Sequence, residues 1–345
     1  MLLKNNRIYK SVLTFLAFNL ATLLNAQTVP NSQIFADDQA ADQDDMCIWI
    51  HPDPSKSTVV TSDKSARKLF VYDLDGSTVQ IINYSEKPRN IDVRYNFSLS
   101  GENVDIVGVG LGDQKIYFYT VDKATRKLIP AGSFDSDMSS LYGFCLYHNM
   151  TNNKYYAFAS TNSGSGTIKQ WELIDNGDGT VGGIHKRTWE NGSGGLTEGL
   201  VADDETKKFY AGSEDDAIYK YDADPVSENP TGEKIVTVGE NGLEADIEGI
   251  ALYFAADGEG YLIVSSQGNS TFKVYDRKPP HNFVKTFEVN SVSGTDGLDV
   301  TNVNMGSLYP KGLLVVHDGK RAYGAKYEDI GLSVDTDYWK RDTTK

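Results

Sequence analysis

A short pattern recurs six times along this chain at a spacing of about 50 residues, and a repeat of that length restricts the fold more than any other feature. The pattern is an apolar or small residue, an acid or tyrosine, usually a glycine, and then a strand-forming run. Its clearest copies are Thr197-Glu198-Gly199-Leu200, Ile247-Glu248-Gly249-Ile250 and Thr295-Asp296-Gly297-Leu298. Weaker copies are Leu141-Tyr142-Gly143-Phe144, Ile91-Asp92-Val93, and Asp44-Asp45 ahead of Met46-Cys47-Ile48-Trp49.

Each copy is followed by further short runs rich in Val, Ile, Tyr and Phe, broken by Gly, Asn and Asp turns. Second runs include Tyr155–Ala159, Phe209–Gly212, Tyr261–Val264 and Leu313–Val316. Third runs tend to end in an aromatic, as in Leu69–Tyr72, Ile116–Tyr119, Ile168–Trp171, Ile218–Tyr221 and Phe272–Tyr275. A fourth, more polar run such as Lys234–Val238 completes several copies. Helical periodicity is almost absent. Four strands repeated six times predict an all-β fold, a six-bladed β-propeller whose four-stranded blades surround a central channel. The sixth copy runs short after Val316, and the segment Val29 to Phe35 is expected to supply its outer strand.

Residues 1–26 are a separate unit. Lys4, Arg7 and Lys10 precede an apolar run from Val12 to Leu24, and Ala26 closes it. That is the pattern of a secretory signal, too short for a comfortable membrane span. Residues 27–345 are then expected to form one exported propeller domain, secreted or periplasmic, without a membrane anchor and monomeric.

Charge narrows the partners. The chain carries 33 basic and 48 acidic residues, a net of −15, and loss of the signal would leave 30 against 48, or −18. Such a surface repels phosphate backbones, which excludes nucleic-acid binding by bulk electrostatics. Any anionic ligand needs cations to bridge the repulsion. Cys47 and Cys145, the only two cysteines, make no disulfide framework; one bridge between them is open to an exported protein, but two buried free thiols are expected.

In a propeller the first strand of each blade lines the channel and starts at one mouth. Asp44, Asp45, Asp92, Glu198, Glu248 and Asp296 are thereby expected to converge from five blades, with Tyr142 from the remaining one. Asp246 precedes Glu248 by two residues and points the same way from an extended chain. Glu214, ahead of Asp215 and Asp216, ends the second strand of blade four near the same rim. Single acids at strand ends are ordinarily solvated turn residues. A ring of them facing inward needs neutralising cations, and an all-carboxylate donor set suits hard ions, Ca²⁺ above Mg²⁺.

Other chemistries lack residues. His51, His148, His185, His281 and His317 are scattered singly, and neither a Gly-x-Ser-x-Gly elbow nor a phosphate-binding glycine loop occurs. Asp175-Asn176-Gly177-Asp178-Gly179 lacks calcium-loop spacing and reads as a hairpin turn. Without a protein nucleophile, hydrolysis here would use a metal-held water.

These residues also carry a family likeness. The sequence resembles the β-propeller phytases, calcium-dependent secreted enzymes that release phosphate from inositol hexakisphosphate (phytate). The likeness runs from about Asp37 to Gly319. It rests on Asp44-Asp45, Asn90-Ile91-Asp92-Val93-Arg94-Tyr95, Tyr142-Gly143-Phe144, Thr197-Glu198-Gly199, Glu214-Asp215, Thr295-Asp296-Gly297 and Asp318-Gly319. Its strongest stretch runs from Asp246-Ile247-Glu248-Gly249 through Ala255-Ala256-Asp257-Gly258 to Ser265-Ser266-Gln267-Gly268-Asn269-Ser270.

The resemblance implies several Ca²⁺ ions held by Asp44, Asp45, Glu198, Glu214, Asp246, Glu248 and Asp296, with Asp92 matching a further acid near the mouth. Glu198, Glu214 and Tyr142 would take catalytic roles, and Lys64 matches a lysine that contacts phosphate. The basic half of the site departs from the family. Ser65 replaces a second lysine, with Arg67 and Lys68 nearby as substitutes. Gly110-Leu111-Gly112-Asp113 replaces an Asn-Arg pair, and another phosphate-binding lysine falls around Gly164. Asn290 stands where the family holds a structural calcium with an acid. The activity implied is phytate hydrolysis, a phosphomonoesterase of 3-phytase type. A calcium-stabilised propeller that binds an anion or a protein without catalysis is the alternative from another class, and a calcium-using propeller lactonase or sugar-acid hydrolase is a third.

Overall fold

The protein is described here by a computed structural model covering residues 26–226 and 230–332. The expected signal segment therefore lies outside the described residues, apart from Ala26. Two short strands open the chain, β1 (Gln27–Val29) and β2 (Gln33–Phe35). Blade one follows as β3 (Gln43–Trp49), β4 (Thr58–Asp63), β5 (Lys68–Asp73) and β6 (Thr78–Asn83). Blade two is β7 (Pro88–Leu99), β8 (Glu102–Leu111), β9 (Lys115–Asp122) and β10 (Lys127–Asp135). Blade three is β11 (Leu141–Asn149), β12 (Lys154–Thr161), β13 (Thr167–Asp175) and β14 (Val181–Glu190). Blade four is β15 (Thr197–Asp203), β16 (Lys208–Ser213), β17 (Ala217–Asp222) and β18 (Glu233–Thr237). Blade five is β19 (Ile247–Phe254), β20 (Gly260–Ser266), β21 (Thr271–Asp276) and β22 (Phe283–Val289). Blade six keeps only β23 (Leu298–Val300), β24 (Leu313–Asp318) and β25 (Arg321–Lys326) from its own repeat.

Each blade is an antiparallel meander, and the inner strands touch in the circular order β3, β7, β11, β15, β19, β23 and back to β3. The six-bladed propeller is thus closed. Among the described residues there is no α-helix, and no helix is long and apolar enough to cross a membrane. The Asp175–Gly179 run joins β13 to β14 as a tight turn, with Asn176 N donating to Thr180 O at 3.0 Å.

The ring closes through the chain's N-terminal strands. β2 pairs antiparallel with β25 and becomes the outer strand of blade six, as the short sixth repeat requires. β1 was not anticipated. It adds to β22 in parallel, as a fifth strand of blade five. Val29 and Phe35 are fully buried on the two blades, so one short segment fastens both.

The core is a set of wedges between neighbouring blades. Inner strands such as β3 and β19 are buried along their whole length, because a blade packs on each face. Outer strands such as β6 are half-exposed. Cys47 and Cys145 sit in these wedges as buried free thiols.

Carboxylates tie neighbouring inner strands together. Asp45 accepts from Ile91 N (3.0 Å), Asp92 from Leu146 N (2.8 Å), Asp204 from His148 N (3.1 Å) and Asp299 from Ile48 N (2.8 Å). Arg94 compensates part of this buried charge, with 2.8 Å to Asp92 and 2.9 Å to Asp204.

Candidate functional site

The repeated acid motif is a β-bulge. Strand pairing slips between Gln43 and Met46 in blade one, Pro88 and Ile91 in blade two, Leu141 and Phe144 in blade three, Thr197 and Leu200 in blade four, and Ile247 and Ile250 in blade five. A bulge inserts an unpaired residue and re-aims side chains at a strand end. The register makes Asp44, Arg89, Tyr142, Glu198 and Glu248 equivalent. In blade six Asp296 takes the same place just ahead of β23.

Glycine follows this position in four blades for a steric reason. A Cβ on Gly199 would lie 2.0 Å from Glu248 O, and one on Gly143 would lie 2.2 Å from Glu198 O. Gly249 N and Gly297 N instead donate to Asp296 O and Asp44 O, each at 3.1 Å. The missing side chain lets one blade's bulge lie directly against the next, which fixes the spacing of the acids.

Two expectations from the repeats need correction. Aligned on acids alone, blade two supplies Asp92 and blade one Asp45. The register places Arg89 at blade two's position, and Asp92 three residues further along the channel wall, paired with Arg94. Asp45 occupies the glycine position of its bulge, where its carboxylate holds Ile91 N.

The remaining acids meet at the mouth. Carboxylate oxygens of Asp44, Glu198 and Asp296 lie within 4.8 Å of one another, and so do those of Glu198, Glu214 and Glu248. Glu198 belongs to both groups. All five side chains are buried. Burial, then the charges of neighbouring carboxylates, pushes the pKa of Asp44, Glu198 and Glu248 upward. Glu198 and Glu248 are close enough for their charges to act on each other, and the Tyr142 hydroxyl lies beside Glu198 and Glu214, with one proton to offer to either. Asp44 Oδ2, Glu214 Oε1 and Glu248 Oε2 are buried without a hydrogen-bond donor. Converging, under-satisfied carboxylates of this kind suit hard divalent cations. Asp246, half-buried, is close enough to Glu214 to raise its pKa, after burial and against the Tyr142 bond.

Lys64 reaches into this arc from the turn after β4. Its Nζ lies 2.5 Å from Asp44 Oδ1, 3.4 Å from Asp296 Oδ2 and 3.8 Å from Asp42 Oδ2. Burial works against its charge, but Asp44 and Asp296 outweigh burial and raise its pKa. Glu214 holds the same place after β16 in blade four, so the turns after second strands form an outer ring around the bulges. Arg67 and Lys68 lie further out on blade one, where they donate to Ser85 O (2.6 Å) and Asn83 Oδ1 (2.8 Å). The structure does not bring them to the acids.

Three groups at the mouth escaped the sequence reading. Asn90, with its amide nitrogen turned inward, donates to Glu198 Oε1 (3.1 Å) and Tyr142 O (3.2 Å). His317 Nε2 lies 3.5 Å from Asp42, behind Lys64. Arg89 stands over the Tyr142 ring, its guanidinium carbon 5.7 Å from the centroid. Aligning the repeats on Met46, Ile91, Phe144, Leu200, Ile250 and Leu298 would have found Arg89 two residues before its apolar marker.

Comparison with known proteins identifies the family and the fold. A family profile described as Phytase matches residues 15–328. A 3-phytase of Bacillus subtilis (strain 168) is 36% identical over 311 residues, spanning 86% of this chain and 79% of that relative. Two solved structures share the fold at low identity. The calcium-binding protein regucalcin of Agrobacterium tumefaciens superposes with a TM-score of 0.55 at 13% identity, covering 87% of this chain and 95% of its own. A luciferin-regenerating enzyme gives 0.56 at 11% identity, covering 89% and 97%.

Proposed function

The chain belongs to the phytase family, as a phytase-type hydrolase, and from that premise we propose that it is an exported, monomeric, Ca²⁺-dependent enzyme that releases phosphate from phytate. The observation that carries the metal requirement is the pair of acid groups sharing Glu198, with buried carboxylate oxygens left without donors. Export is supported by the charged, apolar and small-residue order of residues 1–26.

Asp44, Glu198, Glu214, Glu248 and Asp296 would hold the ions, with Asp246 beside Glu214. Bound there, such ions would offset phosphate charge and supply a water activated for attack on phosphorus. The protein's own part is positional. Asn90 donates to Glu198, and Tyr142, beside Glu198 and Glu214, would give its one hydroxyl proton to either, which would orient the carboxylates as substrate enters. Lys64, whose amine is already at the arc, would meet a substrate phosphate oxygen through a charge-assisted hydrogen bond.

The test is phosphate release from phytate by chelated protein and by protein resupplied with millimolar Ca²⁺. Release restored by Ca²⁺ supports the reading. Release unaffected by chelator sinks the metal requirement, and calcium binding without any release identifies the non-catalytic alternative.

A further inference from the structure

The six equivalent bulge positions divide the mouth into two arcs. Blades four, five, six and one, which are consecutive around the ring, carry Glu198, Glu248, Asp296 and Asp44. Blades two and three carry Arg89 and Tyr142. A half-buried arginine is ordinarily paired with a carboxylate or a carbonyl. Arg89 makes no ion pair among the described residues, and its Nε is buried without a hydrogen-bond partner. The Tyr142 ring lies under the guanidinium, its centroid 5.7 Å from the guanidinium carbon. Nothing in the bulge itself calls for arginine, since the same backbone position accommodates Asp, Tyr and Glu elsewhere in the ring.

We propose that Arg89 is a phosphate-binding residue of this mouth, supplying from a bulge position the positive charge that Ser65 and Gly164 do not supply from the turns. The inference rests on the phosphate-ester reading above. A phosphate held by cations on the acid arc would have oxygens left for donors from blades two and three and from the turn that carries Lys64. Lys64 is on blade one, at the edge of the acid arc, and Arg89 on blade two beyond it. The guanidinium offers two parallel N–H donors to two phosphate oxygens, which an ammonium group cannot do. Arg89 on blade two would thus add a second cation to the one Lys64 brings from the adjoining blade one, with the Tyr142 ring holding the guanidinium in orientation.

The probe is inorganic phosphate, titrated calorimetrically into the Ca²⁺-loaded parent, R89Q and R89K, with Ca²⁺ titrations followed by melting temperature. R89Q is expected to bind phosphate about 10–100-fold more weakly, the loss of one charge-assisted contact. R89K is expected to recover part of that loss. The Ca²⁺ midpoint of R89Q should equal the parent's or move to lower concentration, because a positive charge has left the mouth. Phosphate binding by R89Q within twofold of the parent overturns the proposal, and so does a Ca²⁺ midpoint weakened in the same proportion. Should R89Q fail to fold, R89K binding phosphate as tightly as the parent overturns it. A parent that binds phosphate but leaves phytate intact overturns the phytate reading alone. A parent that binds no phosphate with Ca²⁺ present overturns both.

Discussion

Lys64 Nζ lies 2.5 Å from Asp44 Oδ1, so the amine occupies the same carboxylate that a divalent cation would claim. The two positive charges cannot share Asp44 without repulsion. Cation binding would therefore release Lys64 toward substrate. Lys64→Ala is expected to tighten Ca²⁺ binding several-fold while lowering kcat/KM for phytate by about 10-fold or more, the value of one charge-assisted contact. Calcium titration of the melting temperature, set beside steady-state kinetics, checks both signs. A variant that weakened both would show Lys64 to be a support of the metal site.

The acid arc also sets a pH dependence. Burial and neighbouring carboxylates push Asp44 up to about 7, and they raise Glu198 and Glu248 as well. In the unfolded chain these groups ionise near pH 4. Between about pH 4 and 7 the folded state therefore holds protons that the unfolded state has lost, and stability falls as pH rises. Chelated protein is expected to melt at a higher temperature at pH 5 than at pH 7.5. Ca²⁺, which binds the folded mouth, should raise the pH 7.5 value most and flatten the profile. Melting curves at both pH values, with chelator and with Ca²⁺, decide it. An unchanged pH 7.5 curve on adding Ca²⁺ would remove the acid arc as a calcium site.

Glu248→Gln separates repulsion from ligation. The amide keeps the size of the side chain and removes one charge from a crowded, buried group. Chelated protein should then melt at the same temperature as the parent or higher at pH 7.5. The increase produced by Ca²⁺ should shrink, and turnover should fall at least 100-fold. Glu198→Gln, which removes the residue common to both acid groups, should lose more of the Ca²⁺ increment. Parental turnover by both variants would place the chemistry elsewhere.

The propeller was legible because its inner strands are buried on both faces, so every repeat carries a continuous apolar run such as Met46–Trp49. The need for an outer strand in blade six was visible as a deficit. The pairing of Gln27–Val29 was not, since three residues carry no period and their partners in β22 lie 260 residues away in sequence. Arg89 was hidden by the bulge. An inserted residue shifts register without altering the hydrophobic pattern, so matching acid to acid selected Asp92 and passed over the residue that shares Glu198's position. Asn90 was visible as part of a motif, but its contact with Glu198 crosses two blades and has no trace in local spacing.

Closure by the N-terminal segment makes a stability prediction. Phe35 is fully buried in the wedge between blades six and one, and β2 has only β25 to pair with. Phe35→Ala is expected to cost about 3–5 kcal/mol, read by urea unfolding in the presence of Ca²⁺. The loss should exceed that of Ile34→Ala in the same strand, whose side chain is exposed. Equal losses would show that β2 does not lock the ring.

Gly164 offers a gain-of-function test of the depleted basic side. It lies in the turn between β12 and β13, the blade-three counterpart of the turns that carry Lys64 and Glu214. A Cβ there meets nothing within 4 Å, so a long side chain has room. The backbone has φ +68°, which a residue with a Cβ adopts at a cost of about 1–2 kcal/mol. Gly164→Lys is therefore expected to lower the melting temperature by a few degrees and to raise kcat/KM for phytate, mostly through KM, by several-fold. The effect should fade with added salt, because it depends on attraction between one new cation and a polyanion. An unchanged KM at low salt, in a variant that keeps its Ca²⁺ response, would mean that this turn does not face the bound phosphates.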